Sequence, residues 1–159
     1  MGKGFETGKL FLPQLLMSAE AAKAAFGKIK EKLPPGAGGK GPFVLATVQG
    51  DIHDIGKNIV GLLLENYGYT VIDLGKDVPP ETVLEAVTTH HAPLAGLSAL
   101  MTTTVPAMEA TVKLLREKAP FCKIVVGGAV LTEDYARDIG ADAYGKDAMA
   151  TVRYAETVK

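Results

Sequence analysis

The sequence predicts an α/β domain built on a five-stranded parallel sheet, doubly wound with helices on both faces. Two observations carry that expectation. Apolar runs of strand length show no polar alternation, so each must be buried on both faces, and they take turns with segments of helical period. The size agrees: 159 residues, 47% hydrophobic and 22% charged, are enough for one compact domain with its own core.

From the N-terminus, Leu12, Leu15, Leu16, Ala19, Ala22, Phe26 and Ile29 recur at helical spacing. Pro34 and Pro35 stop this helix, and the glycine-rich stretch 35–42 reads as a linker before a domain over 43–159. PFVLATV is the first strand, QGDIHDIG a polar loop and NIVGLLLENYG a helix. YTVIDLG is paired with the helix PPETVLEAVTTHH, PLAGLSAL with VPAMEATVKLLREKAP, and CKIVVGG with TEDYARDIG. ADAYG is a short fifth strand and DAMATVRYAETV the closing helix. Right-handed crossovers join parallel strands, and the flavodoxin-like order 2-1-3-4-5 follows by analogy.

Composition removes several function classes. Lys+Arg 17 against Asp+Glu 18 leaves a formal charge of -1, without the basic excess of a nucleic-acid binder. One cysteine permits neither a disulfide framework nor a cysteine zinc site. The N-terminal apolar run is interrupted by Pro13, is too short for a span and has no cleavage site, and Glu6 breaks a myristoylation pattern. A cytoplasmic protein without nucleic-acid or membrane partners is expected.

In such a sheet ligands bind at the carboxyl ends of the strands, where the strand order reverses. QGDIHDIGKN, SALMTTT and GGAVLT all fall there. Asp51 lies two residues before His53, and residues two apart in an extended segment point the same way. Asp51 can therefore hold one imidazole nitrogen and leave the other as a metal ligand or base. Asp51 or Asp54 would serve equally as helix caps. His90 and His91 end a helix at the opposite edge of the sheet, where a solvated terminus is the simplest role. A zinc site needs three or four protein ligands, whereas a metal held by a macrocycle needs one. Three histidines in all thus favour a tetrapyrrole-type cofactor over a free ion. Gly50, Gly56, Gly127 and Gly128 suit close backbone approach, or ordinary turns. Ser98, Thr102, Thr103 and Thr104 offer hydroxyls at the end of the third strand, or simply cap the next helix.

GDIHDIGKN, then GLSAL, then VVGGA resemble the D-x-H-x-x-G, S-x-L and G-G signature of cobalamin-binding domains. The family is that of methionine synthase and the corrinoid proteins of methyltransferases. The resemblance covers residues 43–159. GKLFLPQLLMSAEAAKAAF resembles the last helix of the family's helical cap, so 1–34 reads as a partial cap. The family's full cap is a four-helix bundle, and less than that precedes the linker here.

The resemblance implies cobalamin, as methylcobalamin or another corrinoid, with His53 as the lower axial ligand of cobalt. Asp51 would hydrogen-bond His53, and Thr104, where the family often has Ser, would complete the relay. Ser98, Leu100, Thr102, Gly127 and Gly128 would line a slot for the nucleotide tail, with Ala148 near it. Gly50, Ile52, Asp54, Ile55 and Gly56 would pack against the corrin, and Phe5 and Leu12 would cover its upper face. No residue is singled out as catalytic. The chain would carry a methyl group from a donor to a thiol such as homocysteine, in methionine biosynthesis. Its partners would be donor and acceptor methyltransferase domains or subunits and a reductive reactivation partner. An adenosylcobalamin mutase domain shares the signature, but FLPQLLMSAE disfavours it because mutases lack this cap. A cobalamin-sensing regulator or photoreceptor module is the non-enzymatic alternative, weakened by zero Trp and by the lack of a DNA-binding region.

Overall fold

Pro42–Thr47 form β1, and five of its six residues are buried because the strand is covered on both faces. In the computed structural model, residues 39–158 are described, together with the isolated helical positions Met17 and Ala21. Most of the expected cap helix and linker, with Phe5 and Leu12, lies outside the described residues.

The remaining elements follow in the expected alternation: α1 (Ile55–Asn66), β2 (Thr70–Asp73), α2 (Pro80–Thr89), β3 (Leu94–Ser98) and α3 (Val105–Lys118). They continue with β4 (Lys123–Gly127), α4 (Glu133–Asp138), β5 (Ala143–Tyr144) and α5 (Ala148–Thr157). All four strand pairings are parallel and the order is β2-β1-β3-β4-β5, as expected. The chain therefore crosses back over β1 to reach β3. The loops that leave β1 and β3 at their carboxyl ends diverge toward opposite faces and open a crevice between them.

Side chains alternate along each strand and divide the core in two. Val44 and Ala46 of β1, Ala95 and Leu97 of β3, and Ile124 and Val126 of β4 face one layer. Val83 and Val87 of α2 and Met108, Val112 and Leu115 of α3 close over them. Phe43 and Leu45 point the other way with Leu94 and Val125, under Leu64 of α1 and Val152 and Ala155 of α5. Phe43 meets Tyr69 edge-on at a centroid distance of 6.1 Å. Gly61 and Gly96 leave room for Leu45, since a Cβ at Gly96 would lie 2.6 Å from its Cδ2.

Three local details refine the sequence reading. Ile55 and Gly56 belong to the first turn of α1, not to the preceding loop. Asp54 takes the N-cap position, yet its side chain makes no cap hydrogen bond. Thr102–Thr104 form a 3-10 turn that runs into α3, with Thr104 buried and Thr102 exposed.

Candidate functional site

The β1–α1 loop turns at Gly50, whose φ of +83° suits glycine, and the Asp51 N–H donates to the Val48 carbonyl at 3.0 Å. This places the Asp51 side chain inside the protein, with no exposed surface. A buried carboxylate is costly unless its oxygens are satisfied. Oδ1 accepts the His53 N–H at 2.9 Å and meets His53 Nδ1 at 2.8 Å. Oδ2 accepts the Leu100 N–H at 2.7 Å and the Thr104 hydroxyl at 2.8 Å. Thr104 Oγ1 also lies 2.9 Å from the Met101 carbonyl, but it has one proton and the ionised carboxylate is the stronger acceptor. Burial alone would raise the Asp51 carboxyl; these hydrogen bonds outweigh it and hold the group well below the ordinary carboxylate range.

An ionised Asp51 is acceptor-only, so the proton it shares with His53 sits on Nδ1 and the lone pair is left on Nε2. His53 is 45% exposed at its side chain, while Asp51 is fully enclosed. The loop thus presents a basic nitrogen with a fixed tautomer at the carboxyl edge of the sheet. Ile52 and Ile55 flank it and are 62% and 67% exposed, with Leu100 at 40%. Large apolar side chains displayed around one imidazole make a surface suited to a broad apolar ligand.

Beside His53 a cavity of about 600 Å³ runs down between the sheet and the α1–α5 layer. Its inner wall is Leu45, Gly96 and Val125 from adjacent strands, with Val60 of α1 and Thr151 of α5. The volume falls within the roughly 300–1,000 Å³ of small-molecule sites, and apolar walls with a few polar groups are their usual lining.

Of the residues singled out in the sequence, Ile52, His53, Asp54, Ile55 and Gly56 line the cavity from the β1–α1 side. Ser98, Leu100, Gly127, Gly128 and Ala148 line it from β3, β4 and α5. Thr102 is not among the lining residues: it lies on the outer side of the 3-10 turn and is exposed. Gly50 is likewise absent from the wall, and a Cβ there would meet Thr104 Cγ2 at 3.6 Å. Asp51 and Thr104 stand behind His53, joined to it by hydrogen bonds. Gly128 is held against the residue that follows β3, since a Cβ there would fall 1.7 Å from the Ala99 carbonyl oxygen.

Several lining residues escaped sequence reasoning. Lys57 follows Gly56 on α1 with a side chain only 2% exposed, paired with Asp73 and donating to Asn58 Oδ1 at 3.0 Å. Its position next to D-x-H-x-x-G was the available signal. Thr151 is 5% exposed, and a Cβ at Gly145 would lie 2.4 Å from its Oγ1. Tyr144 and Lys146 also line the cavity. Nothing in local sequence marks a helical threonine as a cavity wall.

The donor set fits a corrinoid. Among the described residues no group of three or more His, Cys, Asp or Glu side chains could hold a bare ion. One oriented imidazole beside an apolar platform and a deep slot suits a metal whose other ligands come with a macrocycle. His53 would hold that metal, and the slot would take the cofactor's tail.

Comparison with known proteins agrees. A family model described as B12 binding domain matches residues 41–153, and a second with the same description matches 1–30. Dimethylamine corrinoid protein 3 of Methanosarcina mazei is 41% identical over 160 residues, covering 98% of this chain and 96% of that protein. A cobalamin-binding protein of Desulfitobacterium hafniense superposes with a TM-score of 0.85 at 32% identity, over 99% of this chain and 76% of that one. The methanol:cobalamin methyltransferase complex MtaBC of Methanosarcina barkeri gives 0.88 at 35%, over 98% of this chain and 60% of that one. The expected place in methionine biosynthesis finds no support in these relatives, whose names point to methylamine and methanol systems. Sequence, fold and cofactor chemistry converge: the chain belongs to the family of B12-binding domains, among the corrinoid proteins of methyltransferase systems.

Proposed function

We propose that this chain carries a methyl group on the cobalt of a bound corrinoid, taking it from a methylated amine and yielding it to a thiol. Each transfer would take place on a methyltransferase partner, and a reductive partner would restore oxidised cobalt. The observation that carries the reading is the chain of hydrogen bonds from Thr104 through Asp51 to His53, ending in a free Nε2 beside the slot. When bound, the corrinoid supplies the cobalt that accepts and releases methyl; the protein supplies ligation, orientation and shielding. His53 would ligate from below, while Asp51 keeps the proton on Nδ1 and disperses positive charge that ligation draws onto the ring. Ser98 and Thr151 offer hydroxyls in the slot, and the exposed Ile52, Ile55 and Leu100 would keep water from the imidazole once a corrinoid covered them. The amine donor rests on the likeness to the dimethylamine corrinoid protein.

Reconstitution with cobalamin tests this. The paramagnetic cobalt(II) form is expected to show imidazole nitrogen coupling in its EPR spectrum, with the lower base of the cofactor displaced. His53→Ala should abolish that coupling. Unchanged coupling in the variant would remove His53 from the axial position.

A further inference from the structure

Between β2 and α2 the backbone of Asp77 has a φ of +55°; among the described residues, His91 is the other non-glycine with positive φ. The left-handed region costs an ordinary side chain free energy, and Asp is one of the few that visits it. The conformation lets one residue make two hydrogen bonds to the same stretch of the neighbouring loop. Asp77 Oδ1 accepts the Gly50 N–H at 2.7 Å, and the Asp77 N–H donates to the Asp51 carbonyl at 2.9 Å. Val78 continues the contact, forming an isolated parallel bridge with Val48 and donating its N–H to the Thr47 carbonyl at 3.1 Å.

Asp51 is therefore gripped from two sides. Thr104 and the Leu100 N–H fix its carboxylate from the β3 side, while Asp77 fixes the backbone that bears it from the β2 side. The Asp77 side chain is exposed and does not line the cavity, so its reach to the imidazole is indirect. We infer that Asp77 is a positioning residue for the axial histidine: its paired hydrogen bonds to Gly50 and Asp51 hold in place the loop from which His53 would ligate cobalt. This rests on the proposed axial role of His53. It adds that the β2–α2 loop, which supplies none of the D-x-H-x-x-G residues, sets how firmly that ligand is offered.

The test compares Asp77→Gly, which keeps the backbone conformation and deletes the acceptor, with Asp77→Asn, which keeps an acceptor oxygen. In cobalamin-loaded protein, Asp77→Gly should lower the ratio of histidine-on to histidine-off cobalt(II), read by EPR, by about tenfold, the loss of one charge-assisted hydrogen bond. Asp77→Asn should restore most of it. Thr132→Ala, which deletes the side-chain cap of α4 away from the cavity, should lower thermal stability and leave the ratio alone. A wild-type ratio in Asp77→Gly overturns the proposal, as does an equal fall in Thr132→Ala. In cofactor-free protein, Asp77→Gly should also speed hydrogen exchange at the Asp51 and His53 amides relative to those of β4. Unchanged exchange there refutes the clasp whatever ligates cobalt. Absence of imidazole coupling in wild type would instead overturn the axial role of His53.

Discussion

Asp51 is the residue on which the site depends most, because it is charged, fully buried and satisfied by four donors. Removing one donor leaves part of that charge uncompensated in a place water does not reach, and the penalty for an unsatisfied buried group exceeds the net worth of an ordinary hydrogen bond. Thr104→Val should therefore destabilise the cofactor-free protein by about 1.5–3 kcal/mol in urea unfolding, and Thr104→Ser should recover most of it. A Thr104→Val protein as stable as wild type would show that the Asp51 carboxylate does not depend on this hydroxyl. The D-x-H spacing made the Asp51–His53 bond legible, since two residues set it. Thr104 was legible through family resemblance alone, and the Leu100 amide not at all, because a backbone donor carries no side-chain signature. Which of three consecutive threonines turns inward depends on the 3-10 turn, which the run TTT does not encode.

At the scale of elements, the slot exists because strands end where helices have not yet closed over them. Gly127 ends β4 and Gly128 follows it, and their neighbours explain them better than open space would. A Cβ at Gly127 would lie 3.0 Å from the Gly145 carbonyl oxygen, and one at Gly128 would collide with the Ala99 carbonyl while φ stands at +142°. Both obstacles are backbone, which cannot swing aside. Gly128→Ala is expected to cost on the order of 3 kcal/mol or more, measured by denaturant titration. A cost below about 1 kcal/mol would mean that the β3 and β4 loops separate easily. The glycine pair is visible in the sequence, where it suits close approach or an ordinary turn. That the approach includes another loop's backbone required the paired strands. Helix α1 shows the complementary limit: its apolar period is plain in the sequence from Asn58, whereas the packing of Val60, Leu63 and Leu64 carries the helix back to Ile55.

Across the whole molecule, Asp142 joins parts that are distant in sequence. It precedes β5, pairs with Arg116 of α3, accepts Lys123 Nζ at 3.2 Å and takes the Ile124 N–H at 2.8 Å. Arg116 also donates from Nε to the Gly140 carbonyl at 2.8 Å, so the last third of the chain is stitched to α3 and β4. Burial pushes the Asp142 carboxyl up, but these donors prevail and hold it below its ordinary value. A group depressed in the folded state contributes stability above its unfolded pKa, near 4 for a carboxylate, and loses it as pH falls toward the folded value. Asp142→Asn keeps an acceptor but cannot titrate. The gap in urea midpoint between wild type and this variant should be constant from about pH 5 to 7 and shrink below about pH 4. A gap that persists unchanged into acid would show that Asp142 contributes through packing rather than charge. No helix among the described residues is long and apolar enough to cross a membrane.

What the sequence by itself determined is the alternation of strands and helices, the two-sided burial of the sheet, and the loops that would carry chemistry. Those rest on local periodicity and on residues a few positions apart. The D-x-H unit belongs here too, because at a spacing of two residues the Asp51 carboxylate reaches both the His53 N–H and its ring in one local turn, rather than along extended backbone. Tertiary structure decided the rest. Leu45, Gly96 and Val125 come from three strands, and Thr151 from the final helix; they form one wall through the β1–β3–β4 register and the packing of α1 with α5. Asp77 touches Gly50 because β2 lies beside β1 and carries the pairing past the strand ends. Such contacts depend on strand order, and strand order is set by the burial of the whole sheet rather than by any single segment.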